Sequence, residues 1–275
     1  MVVRVCERRV RGDWVGIFTC TFIFSCWAFA AYCSNFTIIQ EFFRRYKDER
    51  TYLHIGHASI SVLTILTMLQ CVMSNAGHLH DIRNAELLGW HFCDRCQKFR
   101  PPRSHHCRRC GHCIRKMDHH CPWINNCVGE DNVANFIQFL FYAALMSWST
   151  LLMCLAYFLD WLPECAVCNS DSNERFSIHV EIICLTIISV AFAAFTSFMF
   201  VDRMLLVAAD VTTLELMNDR QAIKKSFLND RKPTFYKLLS RSFGTSNVVD
   251  WFMPYAKRQI RPSYEYNAYN WLEHV

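Results

Sequence analysis

Between Cys93 and Cys127 the chain carries seven cysteines, interspersed with His105, His106, His112, His119 and His120, at spacings that suit metal. Cys93-Asp94-Arg95-Cys96 and Cys107-Arg108-Arg109-Cys110 are thiol pairs on Cys-x2-Cys turns. Cys110-Gly111-His112-Cys113 overlaps the second pair, and His120 and Cys127 follow. Two tetrahedral zinc ions take eight Cys or His ligands, offered as close pairs with the rest arriving from further along the chain. One partition gives Cys93, Cys96, His106 and Cys113 to a first ion and Cys107, Cys110, His120 and Cys127 to a second. Both would be structural Cys3His sites, and a cytosolic setting argues against disulfides. One cysteine, Cys121, is left over.

A thiol without a structural task invites a chemical reading. A nucleophilic cysteine needs a lowered pKa or a nearby base, and a histidine oriented by a carboxylate supplies both. Asp118-His119-His120-Cys121 offers all three groups within four positions, between the proposed ligands His120 and Cys127. On this reading His119, oriented by Asp118, takes the proton of Cys121, while His120 stays neutral on the metal. The competing reading is a non-catalytic, membrane-anchored zinc scaffold that recruits protein partners, with Cys121 as an extra buried thiol.

These residues resemble the DHHC-type protein S-acyltransferases, the palmitoyltransferases. The match runs from Cys93 through Arg100-Pro101-Pro102-Arg103-Ser104-His105-His106-Cys107 and Asp118-His119-His120-Cys121-Pro122-Trp123-Ile124-Asn125-Asn126-Cys127-Val128-Gly129 to Asn132 and Phe136. A second family signature, Thr-Thr-x-Glu, stands at Thr212-Thr213-Leu214-Glu215. The resemblance implies transfer of palmitate from palmitoyl-coenzyme A to cysteines of membrane-associated proteins, through an acyl-enzyme on Cys121. It also implies that Thr212 or Thr213 hydrogen-bonds Asp118; from the residues alone, those hydroxyls read as helix caps. By the family's pattern Met146, on the third membrane helix, would limit the depth of the acyl-chain cavity; otherwise it is a packing residue. One departure is Leu238, five residues before Phe243-Gly244, where family members commonly carry asparagine.

The donor implied by that chemistry is half lipid and half polyanion, so its thioester lies at a membrane surface and the nucleophile must be held there. The chain supplies the elements. Four stretches, 14–33, 53–73, 136–159 and 180–201, are apolar over the ~20 residues that cross a ~30 Å hydrocarbon core as a helix. Hydrophobic residues make up 52% of the chain, including 22 phenylalanines. The expected fold is an all-α polytopic membrane protein of four transmembrane helices, with a cysteine-rich zinc module, 74–135, between the second and third.

Basic residues set the orientation. Residues 1–13, the module and the tail 202–275 hold most Lys and Arg and are expected in the cytosol; loops 34–52 and 160–179 are expected in the lumen. Arg44, Arg45, Lys47 and Arg50 run against that rule, but the reverse topology would put the module in an oxidising compartment. The sequon Asn35-Phe36-Thr37 then faces the lumen too near the first helix for a glycan, and Cys165 with Cys168 reads either as a small disulfide or as an inert pair.

Net charge is +5. Arg95, Lys98, Arg100, Arg103, Arg108, Arg109, Arg115 and Lys116 could meet coenzyme A phosphates or anionic headgroups, or simply satisfy positive-inside topology. Membrane anchoring argues against nucleic acid, and the helix cysteines lack the acidic partners of an ion path. Leu272-Glu273-His274-Val275 has the form of a PDZ ligand. The family resemblance favours the Golgi and other endomembranes.

Overall fold

The computed structural model of the chain describes residues 13–39, 47–79, 90–165, 172–229 and 232–254, with side chains undescribed at 47–49, 160–165 and 172–177. Cys168 and Leu272–Val275 lie outside the described residues. The chain is mostly helical: α1 (Trp14–Tyr32), α2 (Lys47–Met73), α3 (Val133–Cys165), α4 (Ser172–Ala209), and three short helices, α5 (Thr213–Asn218), α6 (Ala222–Phe227) and α7 (Phe235–Phe243). Four spans, Trp14–Ile38, Arg50–Met73, Val133–Leu159 and Ile178–Ala209, are long and apolar enough to cross a membrane. The first ends in a π-helical turn, Cys33–Ile38.

Two compact units are distinguishable. One comprises Thr21–Thr67 and Phe139–Val201, the central parts of the long helices. Cys33, Ile38, Ile39, Met153, Cys154, Ile182 and Leu185 form its apolar core. Polar groups in it pair with one another: His57 meets Asn35 Nδ2 through Nδ1 at 3.1 Å and Thr150 Oγ1 through Nε2 at 3.1 Å. Asn35 Nδ2 also donates to the Ala31 carbonyl, so the sequon's amide nitrogen is already engaged inside the first span. Met146 is buried here.

The other unit comprises Met1–Cys20, Met68–Gln138 and Asp202–Val275. Its centre is β-structure within the helical chain: three antiparallel hairpins of three-residue strands, β1 (His91–Cys93) with β2 (Lys98–Arg100), β3 (His105–Cys107) with β4 (His112–Ile114), and β5 (His119–Cys121) with β6 (Asn126–Val128). The strands recur at a fixed interval of 14 residues, from 91 to 105 to 119. Each turn ends on a residue of positive φ, Gln97 at 52°, Gly111 at 75° and Asn125 at 45°. Hairpins this short do not stand alone in water, so something else must hold them.

The surrounding elements are fastened by side-chain hydrogen bonds. Asn126 Nδ2 donates to the Cys71 and Ser74 carbonyls, satisfying the open end of α2. Asn132 accepts from Gly129 N and donates to the Cys127 carbonyl, which sets the entry into α3. A Cβ at Gly129 would overlap the Ala76 carbonyl and Ile114, so only glycine fits that crossing. In the tail, Leu238, Leu239 and Phe243 are buried and Phe243 stacks on Trp251 at 5.5 Å. Where the family pattern suggests asparagine, this chain therefore packs Leu238 as a core residue.

Candidate active site

Strand alternation sorts the chemistry of the hairpins. Neighbouring residues on a strand point to opposite faces, and residues two apart share one. In the second hairpin His106 pairs across with Cys113, and in the third His120 pairs with Cys127. Each pair meets the Cys-x2-Cys turn of the hairpin before it. Cys93, Cys96, His106 and Cys113 form one cluster and Cys107, Cys110, His120 and Cys127 the other, with all donor atoms of a cluster within 4.8 Å of one another.

A tetrahedral zinc with bonds of about 2.0–2.3 Å separates its ligand atoms by about 3.6–3.8 Å. Here His106 Nδ1 lies 3.1 Å from Cys96 Sγ and 3.8 Å from Cys93 Sγ, and Cys113 Sγ lies 3.6 Å from Cys96 Sγ. In the second cluster His120 Nδ1 lies 3.6, 3.4 and 3.7 Å from the sulfurs of Cys107, Cys110 and Cys127. The donor sets fit the ion, and all these cysteines are free thiols.

The 14-residue interval brings a third turn into register. Residues 91–100, 105–114 and 119–128 read HFCDRCQKFR, HHCRRCGHCI and HHCPWINNCV. Cys121 occupies the place of Cys93 and Cys107, and Ile124 stands where the second cysteine of a metal-binding turn would be. At the opposite end of the array Phe92 and Phe99, 5.1 Å apart, replace the His and Cys of the strand pair. The three hairpins thus offer two four-ligand clusters that could each hold a metal ion, and the last turn keeps one thiol with no partner thiol.

His119 and Cys121 share a face of β5, while His120 points to the metal cluster from the other. His119 Nδ1 is 2.7 Å from Asp118 Oδ2, and its ring rests edge-on against buried Phe136 at 5.5 Å. Asp118 is buried and saturated. Oδ1 accepts from Thr213 N at 2.7 Å and Thr213 Oγ1 at 3.0 Å; Oδ2 accepts from His119 and from Arg203 Nη1. Burial raises the Asp118 pKa, but His119, Arg203 and the Thr213 amide outweigh it and leave the carboxyl below its ordinary value.

Cys121 differs. Burial pushes its thiol up, against smaller favourable effects from the Ile124 and Trp123 N–H groups and the Arg203 charge. The same turn geometry places Cys110 N 3.4 Å from Cys107 Sγ in the second hairpin.

The two threonines divide their work. Thr212 is the N-cap of α5 in a reciprocal capping box with Glu215, whereas Thr213 supplies both bonds to Asp118. The Glu215 carboxylate then grips Arg103, at 2.5 Å to Nε and 2.8 Å to Nη2, and Arg103 also reaches Asp210. The Thr-Thr-x-Glu segment therefore ties Asp118 and the second hairpin's entry to one short helix.

Residues 87–220 match the family described as DHHC palmitoyltransferase. Over 216 residues the chain is 33% identical to Palmitoyltransferase ZDHHC21 of Mus musculus, spanning 75% of this chain and 78% of that protein. The chain belongs to the DHHC palmitoyltransferase family. It is also similar to Palmitoyltransferase ZDHHC21 of Danio rerio, 39% identical over 180 residues, 63% of this chain and 64% of the relative. A plant family member, Probable protein S-acyltransferase 13 of Arabidopsis thaliana, is 34% identical over 170 residues, 60% of this chain and 52% of the relative.

Sequence reasoning missed Arg203. Its side chain, 6% exposed, bonds Asp118, Thr213 Oγ1 at 2.8 Å and Asp202. In the sequence it is one basic residue at the end of an apolar run, and nothing there marks it as buried. The 14-residue repeat was the signal for the hairpins. The basic residues also divide: Arg103, Arg109, Arg115 and Lys116 are ion-paired to Asp or Glu. Met146 lies in the other unit.

Proposed function

We propose that the chain is a protein S-acyltransferase that moves palmitate from palmitoyl-coenzyme A to cysteines of membrane-associated proteins by way of a thioester on Cys121. The observation that supports this best is the third hairpin, a metal-type turn whose thiol lacks a partner thiol and shares a strand face with a histidine held by a saturated carboxylate. Because burial disfavours the free thiolate, His119 takes the proton as Cys121 attacks. The new bond joins Cys121 Sγ to the acyl carbonyl carbon, the carbon–sulfur bond to coenzyme A breaks, and His119 returns the proton to the leaving thiolate. In the second half the client thiol gives its proton to His119 and takes the acyl group, and Cys121 recovers the proton. One thioester replaces another, so positioning dominates the catalytic task.

The two Cys3His clusters would hold zinc, which when bound supplies the cross-links that such short hairpins need. Arg95, Lys98, Arg100 and Arg108 remain as basic candidates for the coenzyme's phosphates. The four spans make the chain a multi-pass membrane protein. Cytosolic ends and module follow the distribution of Lys and Arg; protease protection of sealed vesicles tests this. Residence in the Golgi or another endomembrane and PDZ recognition of Leu272–Val275 are further proposals, tested by fluorescence localisation and by deleting Val275. If Met146 limits acyl length, Met146→Ala shifts donor preference toward longer chains.

The deciding experiment incubates detergent-purified protein with a clickable palmitoyl-coenzyme A. Wild type takes a hydroxylamine-sensitive label, and Cys121→Ser takes none while keeping its zinc. A scaffold gives equal signals with either residue.

A further inference from the structure

A zinc-bound histidine uses one ring nitrogen and leaves the other protonated, and that N–H normally points to a carboxylate or carbonyl that fixes the ring. In the second cluster His120 turns Nδ1 to the sulfurs, so Nε2 carries the proton. This atom is buried and makes no aligned hydrogen bond among the described residues. Asp13 Oδ2 lies 3.4 Å from it, an ion-pair distance. Asp13 immediately precedes α1 and accepts from Gly16 N at 3.3 Å. Arg109, in the turn between ligands Cys107 and Cys110, donates to both Asp13 oxygens at 2.8 and 2.9 Å.

Two further contacts reach the turn that follows the nucleophile. Thr19 Oγ1 donates to the Pro122 carbonyl at 2.7 Å. Gly16 meets the side chain of Asn125, and a Cβ there would overlap it. Glycine costs ~1 kcal/mol in a helix relative to alanine, and Gly16 has no positive φ to justify it. The close approach does.

We infer that Asp13 is the carboxylate that faces and accepts from the Nε2–H of His120, and that the first turns of α1, through Asp13, Gly16 and Thr19, position both the second metal cluster and the Cys121 turn. The first membrane helix is thus a support of the site as well as an anchor. The inference rests on the zinc reading above.

The test measures zinc per chain and its loss from purified full-length protein to a chromogenic chelator. Wild type holds two ions. In Asp13→Ala one of the two is held about 10–100-fold more weakly, the usual cost of losing such a carboxylate, while the other is unchanged; Asp13→Glu restores most of the difference. Asp219→Ala, which removes an exposed acidic group that pairs with Lys225 and accepts from Gln221 N, behaves as wild type. Acylation of Cys121 slows in Asp13→Ala and recovers in Asp13→Glu. If Asp13→Ala yields no folded protein, Asp13→Asn, which keeps the shape and removes the charge, must still weaken one ion. Two ions in wild type with identical loss curves for the Asp13 variants overturn this inference alone; a wild type without zinc overturns the zinc reading itself.

Discussion

The second and third hairpins have the same strand lengths, the same register and a turn ending in the same left-handed conformation, yet one turn belongs to a candidate metal cluster and to the other we assign the reaction. What separates them as metal-binding turns is one side chain. Cys110 gives the second turn a pair of thiols; Ile124, buried at the equivalent place, leaves Cys121 alone. Both turns aim backbone N–H groups at their first sulfur, the arrangement that favours thiolate at a metal. On the function proposed above, a catalytic cysteine is obtained by leaving a metal-binding turn half complete and placing a carboxylate-held histidine two residues earlier on the same strand face.

The comparison breaks most sharply at that position. Cys110→Ser removes a ligand of the second ion. Structural zinc is worth ~10–16 kcal/mol to such modules, so zinc content falls from two to one and acylation is lost. Ile124→Ser, the same position one hairpin on, keeps both ions and measurable acylation. Metal analysis beside labelling separates them, and loss of an ion in Ile124→Ser would end the equivalence. The reverse change, Ile124→Cys, completes a third thiol pair. Its acylation is blocked by cadmium at about tenfold lower concentration than wild type and recovers with chelator, because paired thiolates select soft ions.

A smaller effect separates the carboxylate's partners. Arg203→Met removes a hydrogen bond between charged groups, worth about 1.5–3 kcal/mol, so acylation slows about 10–100-fold, with zinc unchanged and part of the rate restored by Arg203→Lys. Thr213→Val slows acylation, whereas Thr212→Val costs about 1 kcal/mol of stability through the lost cap and little rate.

The smallest effect is at the clamp. Burial raises the pKa of Glu215, but Arg103 overrides it and the folded value lies below the ordinary 4.5. A group with a depressed folded pKa stabilises above its unfolded value and loses that contribution as pH falls through the folded one. The melting difference between wild type and Glu215→Gln is therefore constant from pH 5 to 8 and shrinks only below about 4.5.

Much of this was legible in the chain. The ligand partition, the odd thiol and the four spans follow from spacing and hydropathy, because metal ligation and membrane crossing leave strong local patterns. The β-hairpins were hidden, since three-residue strands carry no alternation long enough to read; only the recurrence of residues 91–100 at 105 and 119 betrays them. Which threonine bonds Asp118 was not legible, because capping and carboxylate binding ask for the same hydroxyl. Pairings such as Arg103 with Glu215 and Asp13 with His120 join residues far apart in sequence. Charge alone marked Arg103 and Arg109, and the fold pairs them with Glu215, Asp210 and Asp13.

The central claim is that an unpaired turn thiol carries the acyl group. Intact-mass measurement of zinc-loaded protein after brief exposure to palmitoyl-coenzyme A, followed by peptide mapping, tests it directly. One hydroxylamine-labile acyl group per chain, located at Cys121, is predicted. No adduct, or an adduct that persists in Cys121→Ser, contradicts the account.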